Sequence, residues 1–240
     1  MTDNFAKTIV LIPTFNEKEN IGTLVREIFD LYPNTSILII DDSSLDGTAE
    51  EVRSLQGLFP NLFLIQRSGR RGLGHSYLDG FRTVAGDQRY ENIVTMDADF
   101  SHSPKEISPM LDELSKGDPW IVGSRYVAGG GVENWSLRRR LLSRFANFYV
   151  EFILNTGIAD MTAGFNCFKK SVLKSIDLES ISSDGYAFLV ELKYKISKTG
   201  LRLSEHPITF LERREGQSKM SSQVIWESIW LPWKLKFRSK

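Results

Sequence analysis

Apolar residues follow two spacings in the first half of the chain. Thr8–Pro13, Ser36–Ile40, Leu62–Gln66, Asn92–Met96 and Trp120–Gly123 are short runs dense in Ile, Val, Leu and Phe, which predicts buried strands. Between the first two runs, Ile21, Leu24, Val25, Ile28 and Phe29 recur every three or four positions, which predicts a helix with one buried face. Further helices are predicted over Thr48–Leu58 and Gly74–Ala85 and from Ser103 onward. Asn16 with Glu19, and Ser103 with Pro104 and Glu106, match the residue types that open helices. Strands alternating with helices predict an α/β protein with a mostly parallel sheet covered on both faces.

Such sheets bind ligands beyond the carboxyl ends of their strands. Four polar motifs fall there: Asn16-Glu17 after the first strand, Asp41-Asp42 after the second, Asp97-Ala98-Asp99 after the fourth and Arg125 after the fifth. Their convergence on one edge weighs more than any of them alone. The second half is patterned differently. Gly129-Gly130-Gly131 marks a flexible loop, and Leu137–Leu154 a long amphipathic helix opening with Arg138-Arg139-Arg140. Gly164–Lys169 and Leu203–Leu211 read as strands, with a helix near Tyr186–Lys198 between them. A polar loop, Arg213–Lys219, leads to a tail from Ser221 that mixes Trp226, Trp230, Trp233 and Phe237 with Lys234, Lys236, Arg238 and Lys240. The tail suits an interfacial membrane element or a terminal helix packed on the core. Pro232 is expected to interrupt any long helix there.

Composition narrows this picture. The 240 residues are 41% hydrophobic and 25% charged, as in a soluble globular chain of one large domain or two small ones. Lys plus Arg and Asp plus Glu each total 30, so the formal net charge is zero. That zero hides a split. Residues 1–124 hold 11 basic and 19 acidic side chains, a net −8, while residues 125–240 hold 19 and 11, a net +8. A basic half implies an anionic partner: nucleic acid, anionic lipid or a phosphorylated substrate. A single cysteine, Cys167, excludes an internal disulfide and a cysteine-based zinc site. His75, His102 and His206 lack metal-ligand spacing. No apolar run reaches the ~18 residues of a membrane span. Met1-Thr2-Asp3-Asn4 has neither the basic nor the apolar region of a signal peptide, and an intracellular protein is expected.

Asp97-Ala98-Asp99 is the sharpest motif. Two carboxylates at a strand end suit a hard divalent cation, which can in turn hold a diphosphate; a turn or helix cap uses the same residues. Asp41-Asp42, followed by Asp46, suits hydrogen bonds to a base or ribose, or an acidic turn that favours the dipole of the next helix. Pro13-Thr14-Phe15-Asn16-Glu17 stands where a dinucleotide fold places its glycine-rich turn. It contains no glycine, which weighs against a nicotinamide cofactor. Gly72-Leu73-Gly74 reads as a turn into a helix rather than a phosphate loop. Arg125, Arg138, Arg139, Arg140, Arg144, Arg213, Arg214 and Lys219 supply cations suited to phosphate, with a solvated helix face accounting for part of the 138–144 cluster.

Taken in order, these motifs resemble a known family. Pro13–Glu17, Asp41–Thr48, Asp97–Asp99, Gly123-Ser124-Arg125-Tyr126, Gly129–Val132, Asn134-Trp135, Arg138–Arg140, Ser143-Arg144, Ala146-Asn147, Asp160–Phe165, Gly185–Phe188 and Gly216–Met220 closely resemble the dolichol-phosphate (polyprenol-phosphate) mannosyltransferases. These are inverting family-two glycosyltransferases with the GT-A (Rossmann-like) fold. The resemblance spans about residues 8–220. It implies one catalytic domain over residues 1–220, with a nucleotide-binding half to about 124 and an acceptor-binding half from about 125, followed by an amphipathic tail over 221–240.

The implied reaction is metal-dependent transfer of mannose from GDP-mannose to a polyprenyl (dolichyl) monophosphate, with Mg²⁺ or Mn²⁺ and inversion at the anomeric carbon. The resemblance implies that Pro13, Phe15, Glu17, Ile40 and Asp42 hold the guanosine. Asp97, Ala98, Asp99 and Ser101 would surround the ribose, diphosphate and metal, with Asp97, Asp99 and Ser101 as its ligands. Arg125 and Arg139 would bind the acceptor phosphate, and Arg213 and Lys219 the donor phosphates. Asp99, Arg125 and Arg139 would carry the catalysis. Many relatives have Tyr at the Phe15 position, so a hydrogen bond is removed here while stacking survives. Some have Gln at the Ser101 position, and a serine hydroxyl is shorter. A peripheral place on the cytoplasmic face of a membrane is also implied, plasma membrane in a prokaryote or endoplasmic reticulum in a eukaryote. A small membrane-anchoring subunit fits this reading, and nucleic acid does not. Transfer of another sugar, such as glucose from UDP-glucose, to the same lipid class is the neighbouring reading. A nucleotide-sugar-binding subunit without catalysis is the more distant one.

Overall fold

The computed structural model describes residues 2–212 and 222–238. After a short α1 (Thr2–Ala6), strands β1 (Thr8–Thr14) and β2 (Ser36–Asp41) are buried along almost their whole length. Burial on both faces is why their sequences are unbroken apolar runs rather than alternating ones. They sit inside a seven-stranded sheet of order β3-β2-β1-β4-β7-β5-β8, completed by β3 (Leu62–Gln66), β4 (Asn92–Thr95), β5 (Trp120–Ser124), β7 (Asn166–Lys169) and β8 (Leu203–Pro207). All neighbours run parallel except β7, which lies antiparallel between β4 and β5. The register pairs Thr14 with Asp41 and Asp41 with Gln66, so the carboxyl ends of β1, β2 and β3 finish level.

Helices cover both faces. Against one lie α2 (Lys18–Leu31), α3 (Thr48–Gln56) and α5 (Ile107–Ser115), which bury Ile21, Leu24, Val52, Ile107 and Met110 against Val10, Ile12 and Val94. Against the other lie α4 (Leu73–Ala85), α6 (Leu137–Leu154), α7 (Gly185–Ser197) and α8 (Ser222–Arg238), where Tyr77, Phe81, Val150, Phe188 and Leu235 share a core with Leu11, Leu38 and Trp120.

Four local expectations are corrected. Leu203–Leu211 is not one strand. Pro207 ends β8, and Ile208 turns the chain by donating to the Ser124 carbonyl (2.9 Å) and accepting from the Gly131 amide (3.0 Å). The next strand, β9 (Thr209–Phe210), pairs with β6 (Gly131–Val132) in a separate two-stranded sheet. Asn16 does not cap α2: it has a positive φ of 57°, and its side chain accepts from the Leu45 amide (3.0 Å). Ser103 makes no side-chain cap bond; Pro104–Glu106 form a short 3₁₀ turn, and Glu106 reaches His206 Nε2 at 3.3 Å. Finally, α8 runs through Pro232. Beside that proline the Ile229 carbonyl accepts from the Tyr149 hydroxyl (3.0 Å), which ties α8 to α6.

Candidate active site

The loops after β1 and β2 are tied into one unit. Asp41 is fully buried and accepts from Thr14 Oγ1 (3.1 Å), Ser44 Oγ (2.5 Å) and the Ser44 amide (3.1 Å). Ser44 Oγ in turn accepts from the Asn16 amide (2.9 Å). Asp46 accepts from the Thr48 and Lys18 amides, each at 3.0 Å; burial pushes its pKa up, but these bonds and the Thr48 hydroxyl hold it below the ordinary range. Glu17 stands beside this loop, its amide on Thr48 Oγ1 (3.0 Å) and its carboxylate on Asn20 Nδ2 (3.0 Å). Pro13, Phe15 and Glu17 are half-buried at the sheet edge, with the Arg71 guanidinium 5.0 Å from the Phe15 ring. Ile40 is different. Its side chain lies in the core, and its backbone is paired on both sides by β1 and β3.

Asp42 meets a cation that the sequence pattern does not reveal. Arg67 is buried and bonds Asp42 directly, with Asp79 (2.7 Å) and the Arg70 carbonyl (3.0 Å) as further partners. The other Asp42 oxygen accepts from the Gly72 amide (2.7 Å). A lone arginine ending β3 carries no motif, so only the fold brings it under the acidic loop.

Asp97-Ala98-Asp99 turns the chain off β4. The Asp97 side chain is 31% exposed, while Ala98 and Asp99 are buried. Asp99 Oδ1 accepts from the Ser101 amide (3.1 Å) and hydroxyl (2.6 Å). Ser101, like Asp99, is buried. The Asp97 amide donates to His102 Nδ1 (3.1 Å), which leaves the ring proton on Nε2. His102 stacks on Phe165 (5.1 Å), and its burial lowers its pKa.

Arg125, at the end of β5, is held by a forked pair with Asp160: Nε to Oδ2 at 2.7 Å and Nη2 to Oδ1 at 2.6 Å. Nη2 also donates to Thr162 Oγ1 (2.8 Å). Burial would lower the arginine's pKa, but the carboxylate outweighs it and holds it raised, while the same pairing lowers Asp160 against its own burial. The rings of Tyr126, Trp135 and Phe210 stand within 5.2–5.8 Å of the guanidinium. Arg139, on the first turn of α6, lies 4.0 Å over the Trp135 ring and bonds Glu212 at 2.9 Å. Trp135 and Arg139 thus bring both arginines to one aromatic wall. Arg213 and Lys219 lie outside the described residues.

The model of the family described as Glycosyl transferase family 2 matches residues 9–177. The chain is a family 2 glycosyltransferase. It is 42% identical to a polyprenol monophosphomannose synthase of Mycolicibacterium smegmatis, over 93% of this chain and 84% of that one. It is 34% identical to an undecaprenyl-phosphate mannosyltransferase of Micrococcus luteus, over 93% and 91%. Among solved structures it resembles a glucosyl-3-phosphoglycerate synthase of Mycobacterium tuberculosis in complex with Mn²⁺, UDP and glucosyl-3-phosphoglycerate. That likeness has a TM-score of 0.67 and 16% identity, over 96% of this chain and 82% of that one. It establishes the GT-A fold expected from the sequence.

The glycosyltransferase can be tested for a divalent ion on its donor set. Among the described residues no group of three or more His, Cys, Asp or Glu could hold an ion. Two carboxylates, with water and substrate phosphates filling the other positions, suit Mg²⁺ or Mn²⁺ at a nucleotide site. Asp97 and Asp99 therefore fit an ion that arrives with a diphosphate.

One further glycosyltransferase residue escapes sequence reading. Lys193 of α7 is fully buried, donating to the Met161 (3.2 Å) and Ala163 (2.6 Å) carbonyls. It holds the loop that carries Asp160 and Thr162. Burial brings its pKa down to about 7, against the pull of Asp160 and Glu205 and with the push of Arg125.

Proposed function

We propose that this enzyme transfers mannose from GDP-mannose to a polyprenyl monophosphate, giving a polyprenyl β-mannosyl phosphate. The likeness over 93% of the chain to two proteins named for mannose and polyprenyl phosphate carries this reading. In it, Pro13, Phe15 and Glu17 receive the guanosine at the carboxyl edge of β1. Asp42 assists from a position fixed by Arg67 and Gly72, and Ile40 supports that edge from the core. Asp97 and Asp99 would hold Mg²⁺ or Mn²⁺, with Ser101 orienting Asp99, and the ion would neutralise charge on the departing diphosphate. Ala98 lets the backbone run close to the ribose. Arg213 and Lys219 bind the donor phosphates.

Arg125 and Arg139 hold the acceptor phosphate and offset its repulsion by the donor. Arg125 is fixed in orientation by Asp160, so its remaining nitrogen, Nη1, is presented without a search among rotamers. A phosphate monoester has a second pKa near ~6, so the attacking oxygen is already anionic at neutral pH. No general base is required, which agrees with the absence of one from the motifs. In-line attack at the anomeric carbon breaks its bond to the diphosphate and inverts an α-linked donor. The acceptor's lipid tail places the reaction at a membrane surface. No helix among the described residues is long and apolar enough to cross a membrane. A peripheral position on the cytoplasmic face, with or without an anchoring subunit, completes this reading.

The test is incubation with GDP-mannose labelled in the sugar and a short polyprenyl phosphate. Labelled lipid is expected with Mg²⁺ or Mn²⁺, lost on chelation and restored by returning the metal. Asp99→Ala is expected to lower kcat/KM by at least ~100-fold, about 2.7 kcal/mol. Preference for UDP-glucose would overturn the donor assignment, and no labelled lipid under any metal condition would overturn the reaction.

A further inference from the structure

Residues 155–165, between α6 and β7, form neither helix nor strand, yet Asp160 and Met161 in their middle are fully buried. Buried peptide groups need partners, and here side chains from α6, α7 and β8 supply them. Glu205 of β8 accepts from two successive amides, those of Ala159 (2.8 Å) and Asp160 (3.0 Å). Asn147 of α6 accepts from the Thr162 amide (3.2 Å) and donates to the Thr162 hydroxyl (3.1 Å). Lys193 of α7 donates to the Met161 and Ala163 carbonyls, so one ammonium holds both.

Arg125 grips the same segment at the alternate positions. Its guanidinium bonds the side chains of Asp160 and Thr162, while Lys193 bonds the carbonyls of residues 161 and 163. The Arg125 amide also donates to Asp160 (3.0 Å). The guanidinium therefore takes its direction from a short strip of chain that Lys193 and Glu205 hold in shape. Charge favours the same arrangement, since the Asp160 and Glu205 carboxylates attract Lys193 and Asp160 attracts Arg125. Burying an ammonium is costly. An apolar side chain of similar length would fill the same space but leave two buried carbonyls unpaired. What the lysine adds is a fixed course for residues 160–163.

We infer that Lys193, together with Glu205, is a positioning residue that sets the direction of the Arg125 guanidinium through residues 159–163. The consequence for a phosphate monoester held on Arg125 rests on the function proposed above; the positioning itself does not.

The experiment follows arginine Nε–H signals of the full chain by nitrogen–proton correlation NMR. An Nε–H fixed on a buried carboxylate gives a sharp signal protected from exchange. Arg67 supplies an internal control, because its Nε donates to Asp79 (2.7 Å) beneath the acidic loop after β2. The two signals are assigned by their loss in Arg125→Lys and Arg67→Lys. Lys193→Met and Glu205→Gln are each expected to broaden or shift the Arg125 signal and to leave the Arg67 signal in place. In transfer assays both should raise the KM for a short polyprenyl phosphate at least ~10-fold, while the KM for GDP-mannose stays within ~2-fold. An Arg125 signal unchanged in either variant that keeps the Arg67 signal would overturn the positioning, as would a parent with no protected Arg125 signal. Loss of both signals and of circular dichroism in both variants would also overturn it, because the two residues would then serve folding alone. If one variant unfolds, the other decides. If the Arg125 signal moves and the acceptor KM does not, the positioning stands and its link to the acceptor fails. If the parent transfers no sugar, the proposed reaction fails and the NMR comparison still decides the positioning.

Discussion

Arg125 and Lys193 share one buried patch, reached through the Asp160 loop; the sequence reading singles out the first and passes over the second. The strand-end position of Arg125 was legible, because a polar residue after an apolar run falls at the ligand-binding edge. Its forked pairing with Asp160 was not, since the partner lies 35 residues away with no fixed spacing to it. Lys193 gave no signal at all within an expected helix. Its burial makes a measurable prediction. The folded chain binds this proton with a pKa of about 7, whereas an unfolded lysine does so near ~10.4. Between those values the unfolded state holds the extra proton, so this site's contribution to stability rises with pH across the window and is lost as pH falls through 7. Asp160, Arg125 and Glu205 are the charges acting on it. Urea unfolding from pH 7 to 10 should therefore show the wild type gaining up to about 4 kcal/mol relative to Lys193→Met. Parallel curves would show that Lys193 does not titrate in this way.

Most strands were legible because burial leaves a long enough apolar run, and β3, a half-buried edge strand, still has the expected bounds. Two helix caps were misread, for a reason visible at α2. Its first amides are satisfied by the second loop: Glu17 donates to Thr48 Oγ1, 31 residues on, and Lys18 to Asp46, 28 residues on. A search for local caps cannot find partners at that range. The start of α4 shows the same device, since the Gly74 amide donates to Asp184 (2.8 Å), 110 residues on, while Asp184 caps α7 locally through the Gly185 amide (2.7 Å). Gly72, at φ 147°, lets the loop pass so close that an added Cβ would sit 1.8 Å from Asp184 Oδ2. Gly72→Ala is therefore expected to destabilise the protein by about 2–3 kcal/mol. Gly86→Ala, where a Cβ meets nothing within 4 Å, should be nearly neutral. Thermal melts of the two variants test this, and similar melting temperatures would contradict it.

Across the molecule, the acidic half and the basic half meet along one sheet edge rather than forming separate bodies. If guanosine diphosphate and a divalent ion bind there, folding is linked to them. At a hundredfold excess over Kd the native state gains about 2.7 kcal/mol, which for a chain of this size is a rise of roughly 5–10 °C in Tm. GDP with Mg²⁺ should produce that shift and UDP with Mg²⁺ a smaller one; equal shifts would count against guanine recognition. The sequence pattern shows β7 as a strand but not its antiparallel place between β4 and β5, because an apolar run does not name its neighbours. Its insertion between β4 and β5 has a consequence for biosynthesis. Among the described residues β5 pairs with β7 and β8 alone, and both are encoded after it. A ribosome that has released residues 1–124 has therefore made every acidic motif of the site but not the strands that close the sheet around them. Until β7 emerges, the nascent chain carries raw strand edges of the kind that pair with other chains. A fragment cut at residue 124 would keep those edges permanently, so aggregation rather than a free-standing nucleotide module is its expected fate.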